Sequence, residues 1–278
     1  MPELPEVETM RRGVLAVEGC RIERLELPRR QDVKPLTLEP TARAFQRRAK
    51  GRTIERVGRA GKRLVFELDG GERIVFEPRM TGLALLTDPP TTKHLRARFE
   101  LSGGEVDELL LWDRRGLGTL RLLDEEAYAE AVSAKLGPDA LELTPEDLPE
   151  RLGRSRRAVK VALLDQAIVA GIGNIYAAEA LFVAKVDPRR ECSDLSRAEW
   201  RRLRQALLDV LEEAIRYEGS TLGDGTYRNA LNQDGSYQSC HRVYARTGER
   251  CGRKRCRGVV ERVVLGQRAT FFCPECQG

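Results

Sequence analysis

A proline, two glutamates and four cysteines carry the chemistry legible in this chain. Removal of Met1 would leave Pro2 with a free secondary amine, and an α-amino group titrates near ~8, so a useful fraction is unprotonated and nucleophilic near neutrality. Attack of a secondary amine on a carbonyl-level carbon gives an iminium whose charge cannot be lost from nitrogen. It therefore persists as an electron sink for eliminating neighbouring leaving groups, chemistry suited to a sugar C1′. Glu3 and Glu6 stand within one helical turn of that amine. Pro5 fits the first turn of a helix, and Val7, Met10 and Val14 recur at helical spacing, so the positive helix end should point back at Pro2. Near the other end, Cys273-x2-Cys276 is a strong ligand pair, Cys251-x4-Cys256 is within ligand spacing, and sixteen residues separate Cys256 from Cys273. That pattern suits a two-hairpin finger holding one Zn2+, and four thiolates close the shell, so the metal is structural.

The elements that position these groups follow from pattern. After the leading helix, Arg21 to Leu27, Leu64 to Leu68, Arg73 to Glu77, Leu95 to Leu101 and Glu108 to Trp112 read as short strands. Asp69-Gly70-Gly71 and Ser102-Gly103-Gly104 read as turns. Regular strands and hairpins argue for an antiparallel sandwich or barrel, and we take the sandwich. Residues 124–150 are acidic and contain Pro138, Pro145 and Pro149, which places a hinge at 131–150. Beyond it Ser155 can cap a helix running to about Val169, Gly171-Ile172-Gly173-Asn174 gives a tight reversal with Asn174 able to cap the next helix, and Ser196-Arg197-Ala198-Glu199 has capping-box spacing before a long amphipathic helix. Residues 219–238, rich in Gly, Ser, Thr and Asn, form a loop too long to be a mere connection. The expected class is α+β: an N-terminal β-sandwich with a leading helix (1–130), the hinge (131–150), a helical domain with its loop (151–238) and the finger (239–278).

Charge and composition limit the partners. The chain has 278 residues and 41% hydrophobic content, enough for two domains and an appendage. No stretch reaches the ~18 unbroken apolar residues of a membrane span, and no charged-then-apolar signal segment precedes Pro2, so a cytoplasmic protein without a membrane is expected. Residues 1–150 hold 25 Lys+Arg against 28 Asp+Glu, whereas 151–278 hold 23 against 15. The second half is thus the polyanion surface. Of seven cysteines, four crowd the last 28 residues, which points to metal rather than disulfides. Cys20, Cys192 and Cys240 read as ordinary small residues.

Pro-Glu-Leu-Pro-Glu-Val-Glu-Thr followed by Arg11-Arg12-Gly13 resembles the opening of the bacterial formamidopyrimidine-DNA glycosylases, which excise oxidised purines and cut the strand at the abasic sugar. The resemblance extends along the chain. It implies that Lys62 stands beside the active site, contacting the damaged nucleotide's phosphate and assisting elimination. It makes Met80 the side chain that fills the stack and His94 a phosphate contact, although Leu95-Arg96 replaces the family's following Asp-His. Asp113-Arg114-Arg115-Gly116-Leu117-Gly118 aligns with an Asp-x-Arg-x-Phe-Gly loop, so Arg115 would pair with the orphaned base, and Leu117 replaces the phenylalanine wedge. Val169 to Leu181 resembles the family's helix–two-turns–helix, with Lys160 and Asn174 as phosphate contacts and Arg156 as a further DNA-facing cation. Ser220, Thr226 and Tyr227 fall in the place of the base-capping loop, where Gly223-Asp224-Gly225 is extra length. Gln267-Arg268-Ala269-Thr270-Phe271-Phe272-Cys273 resembles the finger hairpin, with Arg268 gripping phosphates at the lesion, and the four-residue gap after Cys251 departs from the family's two.

The resemblance thus implies a monomeric enzyme acting on double-stranded DNA that contains oxidised purines, with Pro2 attacking C1′, Glu3 supplying a proton, Glu6 beside them, and β- then δ-elimination following. One rival is the sister endonuclease-VIII-type glycosylase for oxidised pyrimidines, whose members tend to open Pro-Glu-Gly-Pro-Glu-Ile; Leu4 and Val7 favour the purine enzyme. The other rival is a zinc-containing DNA-binding protein without catalysis.

Overall fold

The structure is a computed structural model describing residues 2–28, 32–223 and 225–278; Met1, whose removal the proline chemistry requires, and Asp224 of the extra loop length lie outside the described residues. The chain divides into two compact units, Met1–Ala134 with Tyr217–Gln238, and Lys135–Arg216 with Ser239–Gly278.

The first unit opens with α1 (Leu4–Gly13), whose residues, like Pro2 and Glu3 before them, are buried as far as Met10. Its strands are β1 (Arg21–Glu26), β2 (Thr37–Glu39), β3 (Ile54–Ala60), β4 (Arg63–Leu68), β5 (Arg73–Glu77), β6 (Gly82–Leu85), β7 (Leu95–Ser102), β8 (Glu108–Asp113) and β9 (Thr119–Leu123), with α2 (Ala42–Ala49) and α3 (Glu125–Ala131) beside them. They form a four-stranded sheet β1-β7-β8-β6 and a five-stranded sheet β2-β9-β5-β4-β3. One pair, β2 with β9, is parallel, so the sandwich is not wholly antiparallel. Phe45, Phe66, Phe76, Phe99 and Trp112 belong to its core together with Val7 and Met10 of α1 and Val14 just after it. Apolar side chains spaced three and four apart put one face of α1 into that core, and α1 packs on β3 and β4 of one sheet and β6 of the other.

Three carboxylates are buried on this helix or at its start, Glu3, Glu6 and Glu8, at 3%, 2% and 6% exposure. A buried carboxylate needs partners. Glu8 accepts from Arg11 and Arg12 of its own helix and from Arg59 of β3 at 2.8–3.2 Å. Burial alone would raise its pKa, but the guanidinium hydrogen bonds and charges prevail and lower it from 4.5 to about 2. The folded-state value lies below the unfolded one, so the stabilisation is complete above pH ~4.5 and is lost as pH falls towards 2; the shift corresponds to at most about 3 kcal/mol. The stability advantage of wild type over Glu8→Gln in urea titrations is accordingly expected to shrink between pH 5 and pH 2.5, and an advantage unchanged across that range would refute the assignment.

The second unit contains α4 (Asp147–Leu152), α5 (Val159–Leu163), α6 (Asn174–Ala184), α7 (Arg197–Arg216), the hairpin β10 (Glu261–Leu265) with β11 (Arg268–Phe272), and α8 (Pro274–Gln277). The capping box opens α7 as expected: Ser196 N donates to Glu199 Oε2 (2.8 Å) and Glu199 N to Ser196 Oγ (3.3 Å). The helix expected from Ser155 to about Val169 is only the five residues of α5. Beyond it, side chains take the backbone groups a helix would use: Gln166 Nε2 donates to Leu164 O and Ile172 O, Gly171 N to Gln166 Oε1, and Ala167 N to Asp165 Oδ1, all at 2.9–3.1 Å. Such bonds offer the chain an alternative to helix.

The division between the units falls at Ala134/Lys135, within the stretch 131–150 read as a hinge, and α4 begins near the end of that stretch. Tyr217–Gln238, placed by sequence in the helical domain, clusters with the first unit. Hydrogen bonds from residues 219–227 to α1, described below, are the physical reason. Among the described residues, no helix is long and apolar enough to cross a membrane.

Candidate active site

The N-terminal turn is held by Glu6. Its Oε2 accepts Glu3 N–H at 2.8 Å, and its Oε1 accepts Ser220 N–H at 2.8 Å. The carboxylate thus joins the residue after Pro2 to the Gly/Ser/Thr-rich loop. Gly219 makes this approach possible: its φ is +78°, and a Cβ there would lie 2.9 Å from Glu6 Cγ and Oε1. Tyr227 OH donates to the Glu6 carbonyl (3.3 Å), and burial pushes the Tyr227 hydroxyl pKa well above its ordinary value. The loop is also bonded to itself, through Thr221 Oγ1 to Tyr227 O (2.8 Å) and Gly235 N to Thr221 Oγ1 (2.9 Å). Ser220, Thr226 and Tyr227 are therefore buried, at 3%, 5% and 5% exposure. Lys62 lies half-buried in the two-residue turn between β3 and β4. That turn is tied down by Arg59, which donates to Gly61 O (2.9 Å) and pairs with Glu8 (3.2 Å).

Met80 and Arg115 are brought together by a group that sequence reading passed over. Asp113 is fully buried at the end of β8. Its carboxylate accepts Thr81 Oγ1–H in a short hydrogen bond, Arg115 N–H at 3.1 Å and Gly118 N–H at 2.8 Å, while Arg115 N also reaches Thr81 Oγ1 at 3.0 Å. Thr81 follows Met80 directly, so the turn carrying Met80 and the loop carrying Arg115 and Leu117 share one anchor. Gly116 presses that loop on the backbone of Lys34: at φ +60°, a Cβ would fall 2.2 Å from Lys34 O. Arg115 is exposed, and Leu117 and Met80 are half-buried. The signal for the anchor was available as an acid heading a Gly-x-Gly loop, the pattern of side-chain-to-backbone turns. His94 packs edge-on against Trp112 (centroids 5.5 Å apart), and burial, then Arg96, holds its pKa below the usual range.

In the second unit Asn174 is the first residue of α6 rather than its cap, which is Gly173. Its side chain instead donates from Nδ2 to Ala269 O (2.9 Å), beside Arg268, and its buried Oδ1 has no protein partner among the described residues. The reversal and the exposed Arg268 of the finger hairpin are thereby joined. Lys160 is fully buried (0%) rather than solvent-facing. Arg156 is exposed and pairs with Glu191 (3.3 Å).

The sulfurs of Cys251, Cys256, Cys273 and Cys276 all lie within 4.8 Å of one another. Cys251 to Cys276 is 3.8 Å and Cys256 to Cys273 is 3.7 Å. Tetrahedral zinc with Zn–S of about 2.3 Å requires sulfur–sulfur edges of about 3.8 Å, so the donor set fits the ion. By themselves the thiols crowd one another. Burial, then Cys273 and Cys251, pushes the Cys276 thiol up to about 12, and a divalent cation is what lets four thiolates share this volume. Glu179 of α6 orients the approach to the finger, accepting N–H from Arg242, Val243 and Tyr244 at 2.8–2.9 Å.

Fold and site together define a two-unit zinc-finger protein with a buried acidic turn at its N-terminus and a helix-reversal-helix joined to the finger hairpin. Residues 1–120 match the formamidopyrimidine-DNA glycosylase N-terminal domain, 136–225 the H2TH domain of the same glycosylases, and 248–278 the zinc finger found in FPG and IleRS. Formamidopyrimidine-DNA glycosylases of Chloroflexus aurantiacus and Bacillus cereus are 38% and 40% identical over 283 residues, covering 100% of this chain and 98% and 99% of theirs. The crystal structure of the MutM (Fpg) protein from Thermus thermophilus superposes with a TM-score of 0.85 at 39% identity, covering 100% of this chain and 99% of that one. A Lactococcus lactis FPG mutant complexed with Fapy-dG-containing DNA gives 0.86 at 31% identity, with 99% of each chain covered. The chain belongs to the formamidopyrimidine-DNA glycosylase family. It is a DNA glycosylase of base excision repair that carries one structural zinc.

Proposed function

We propose that the enzyme excises oxidised purines such as 8-oxoguanine and formamidopyrimidines from duplex DNA and then cuts the strand, acting as a monomer in the cytoplasm. The observation carrying this reading is the double use of Glu6, which fixes the turn bearing Pro2 and the loop bearing Ser220 in one geometry. A nucleophile for C1′ and a loop of backbone amides able to read an everted purine thus share one anchor.

In this reading the target nucleotide leaves the stack, because its sugar carbon cannot be attacked inside it. The Pro2 amine, freed by removal of Met1, adds to C1′ while Glu3 supplies a proton to the opening sugar, and the base departs. The iminium then drives β- and δ-elimination, leaving a one-nucleotide gap. Glu6 acts by position, since each of its oxygens already holds a backbone N–H. Lys62 assists elimination from the β3–β4 turn. Met80 and Leu117 fill the vacated stack, and Arg115 offers guanidinium donors to the orphaned base. Ser220, Thr226 and Tyr227 belong to the loop that caps the everted base. His94, Arg156, Asn174 and Arg268 contact phosphates, Lys160 adds its charge from its buried place in α5, and Arg268 helps the second elimination. The Lactococcus lactis Fpg, seen as a mutant with Fapy-dG-containing DNA and in another complex with abasic-site DNA, supports the substrate class.

Borohydride reduction with 8-oxoguanine duplex tests the reading: a covalent adduct through Pro2 is expected, and a protein that binds the duplex yet leaves none is a binder only. Preference for thymine glycol over 8-oxoguanine would transfer the enzyme to the pyrimidine branch.

Leu117 lacks the ring that would stack on a base, an interaction worth about 1–3 kcal/mol. Leu117→Phe is therefore expected to tighten binding to undamaged duplex roughly tenfold and to slow scanning in single-molecule tracking. Unchanged affinity and diffusion would end this role.

A further inference from the structure

The geometry points to Arg114 as a positioning residue that couples the loop reading the orphaned base to the loop capping the everted one; the inference rests on the functional reading above. Arg114 stands at the unspecified position of the Asp-x-Arg loop, between the buried anchor Asp113 and the base-reading Arg115. The backbone around it is fixed. Arg96, itself buried at 4% exposure, donates from Nε to Asp113 O (2.8 Å) and from Nη2 to Arg114 O (3.5 Å), and Asp113 and Thr81 hold Arg115 N.

The Arg114 side chain leaves this anchored backbone and crosses to the capping loop, where Nη2 donates to Thr226 Oγ1 at 2.9 Å. Thr226 is 5% exposed. The next residue, Tyr227, reaches the Glu6 carbonyl, and the Glu6 carboxylate holds the Glu3 and Ser220 amides. A continuous path therefore runs from the loop of Arg115 and Leu117, through Arg114 and Thr226, to the turn that carries Pro2. A guanidinium presents its donors in a rigid plane, so movement of its loop changes its fit to Thr226. Insertion of Leu117 and Arg115 into the stack and seating of Ser220, Thr226 and Tyr227 against the everted base would then proceed together. A substrate that has already lost its base has nothing to cap and does not need the link.

The test compares wild type, Arg114→Met, Thr226→Val and the double variant in single-turnover excision of 8-oxoguanine opposite cytosine. Wild type and Arg114→Met are also compared in strand cleavage at a preformed abasic site. Loss of one hydrogen bond to a charged donor corresponds to about a tenfold slower step. Each single variant is expected to slow excision about tenfold, the double variant to be no slower than either, and Arg114→Met to cleave the abasic site within twofold of wild type. Independent, multiplying losses in the double variant would overturn the coupling. So would equal losses at lesion and abasic site, which would make Arg114 a phosphate contact or a prop for the fold, and so would unchanged excision by Arg114→Met. Wild type that neither excises 8-oxoguanine nor is trapped by borohydride would instead defeat the functional reading itself.

Discussion

Pro2→Gly is expected to excise 8-oxoguanine on the order of a thousandfold more slowly than wild type, and to accumulate borohydride-trapped adduct correspondingly slowly, while binding the lesion duplex within a few-fold of wild type. The size follows from replacing the covalent nucleophile, a constrained ring nitrogen, by a weaker and freer amine while binding and electrostatics stay in place. Glycine keeps an amine, but a primary one, so the loss reports on the ring nitrogen. Its attack at C1′ lacks the constrained secondary nitrogen of the ring, and any iminium it forms can shed its proton from nitrogen, which weakens the electron sink for elimination without preventing borohydride reduction. The variant is not expected to unfold, because α1 starts at Leu4 and its buried face is made by Leu4, Val7 and Met10. Single-turnover excision and binding by anisotropy measure the two effects separately. Undiminished excision by Pro2→Gly, or a mature chain that keeps Met1 and is fully active, would remove the mechanism.

Zinc removal should have the second large effect. The apolar cluster around the finger is small, and two of its buried members, Cys251 and Cys273, are ligands themselves; Val243, Val260 and Phe271 pack with them on Ala178 and Phe182 of α6. A segment with so little apolar burial depends on its metal, which in zinc-finger peptides contributes roughly 10–16 kcal/mol. Cys273→Ser, or treatment with a strong chelator, is expected to expose residues 239–278 to protease. Affinity for lesion DNA should fall at least about a hundredfold, because residues 240–278 hold nine Lys+Arg against three acids and the unfolded segment no longer presents Arg268 from β11. Protease resistance and DNA affinity retained after stoichiometric zinc loss would overturn the structural role. Cys192 serves as the control: burial pushes its thiol up to about 11, so its serine variant should leave zinc content unchanged.

Much of the chain was legible before folding. The Ser196–Glu199 box opened α7, the Gly-Gly turns bounded strands, and β5 runs from Arg73 to Glu77, the bounds read from the sequence. Other elements left weaker traces. β6 is four buried residues with no alternation, and β2 is three residues pairing in parallel at a sheet edge. The helix expected to run to Val169 failed because Asp165 and Gln166 bond to nearby backbone, and nothing in apolar spacing announces that choice.

By itself the sequence determined the chemistry available: a secondary amine at Pro2, acids one helical turn away, and four thiols at zinc spacing, because residue type and local spacing are covalent properties of the chain. Tertiary structure alone decided how they are used. Glu6 became a clamp rather than a free acid because Ser220, 214 residues away in sequence, brings its N–H to the carboxylate. For the same reason residues 217–238 joined the first unit, Asp113 came to hold both the Met80 and Arg115 segments, and Lys160 ended inside the protein. Periodicity and capping act over a few residues and can be read along the chain. Which distant N–H satisfies a buried carboxylate is settled only when packing brings the two together.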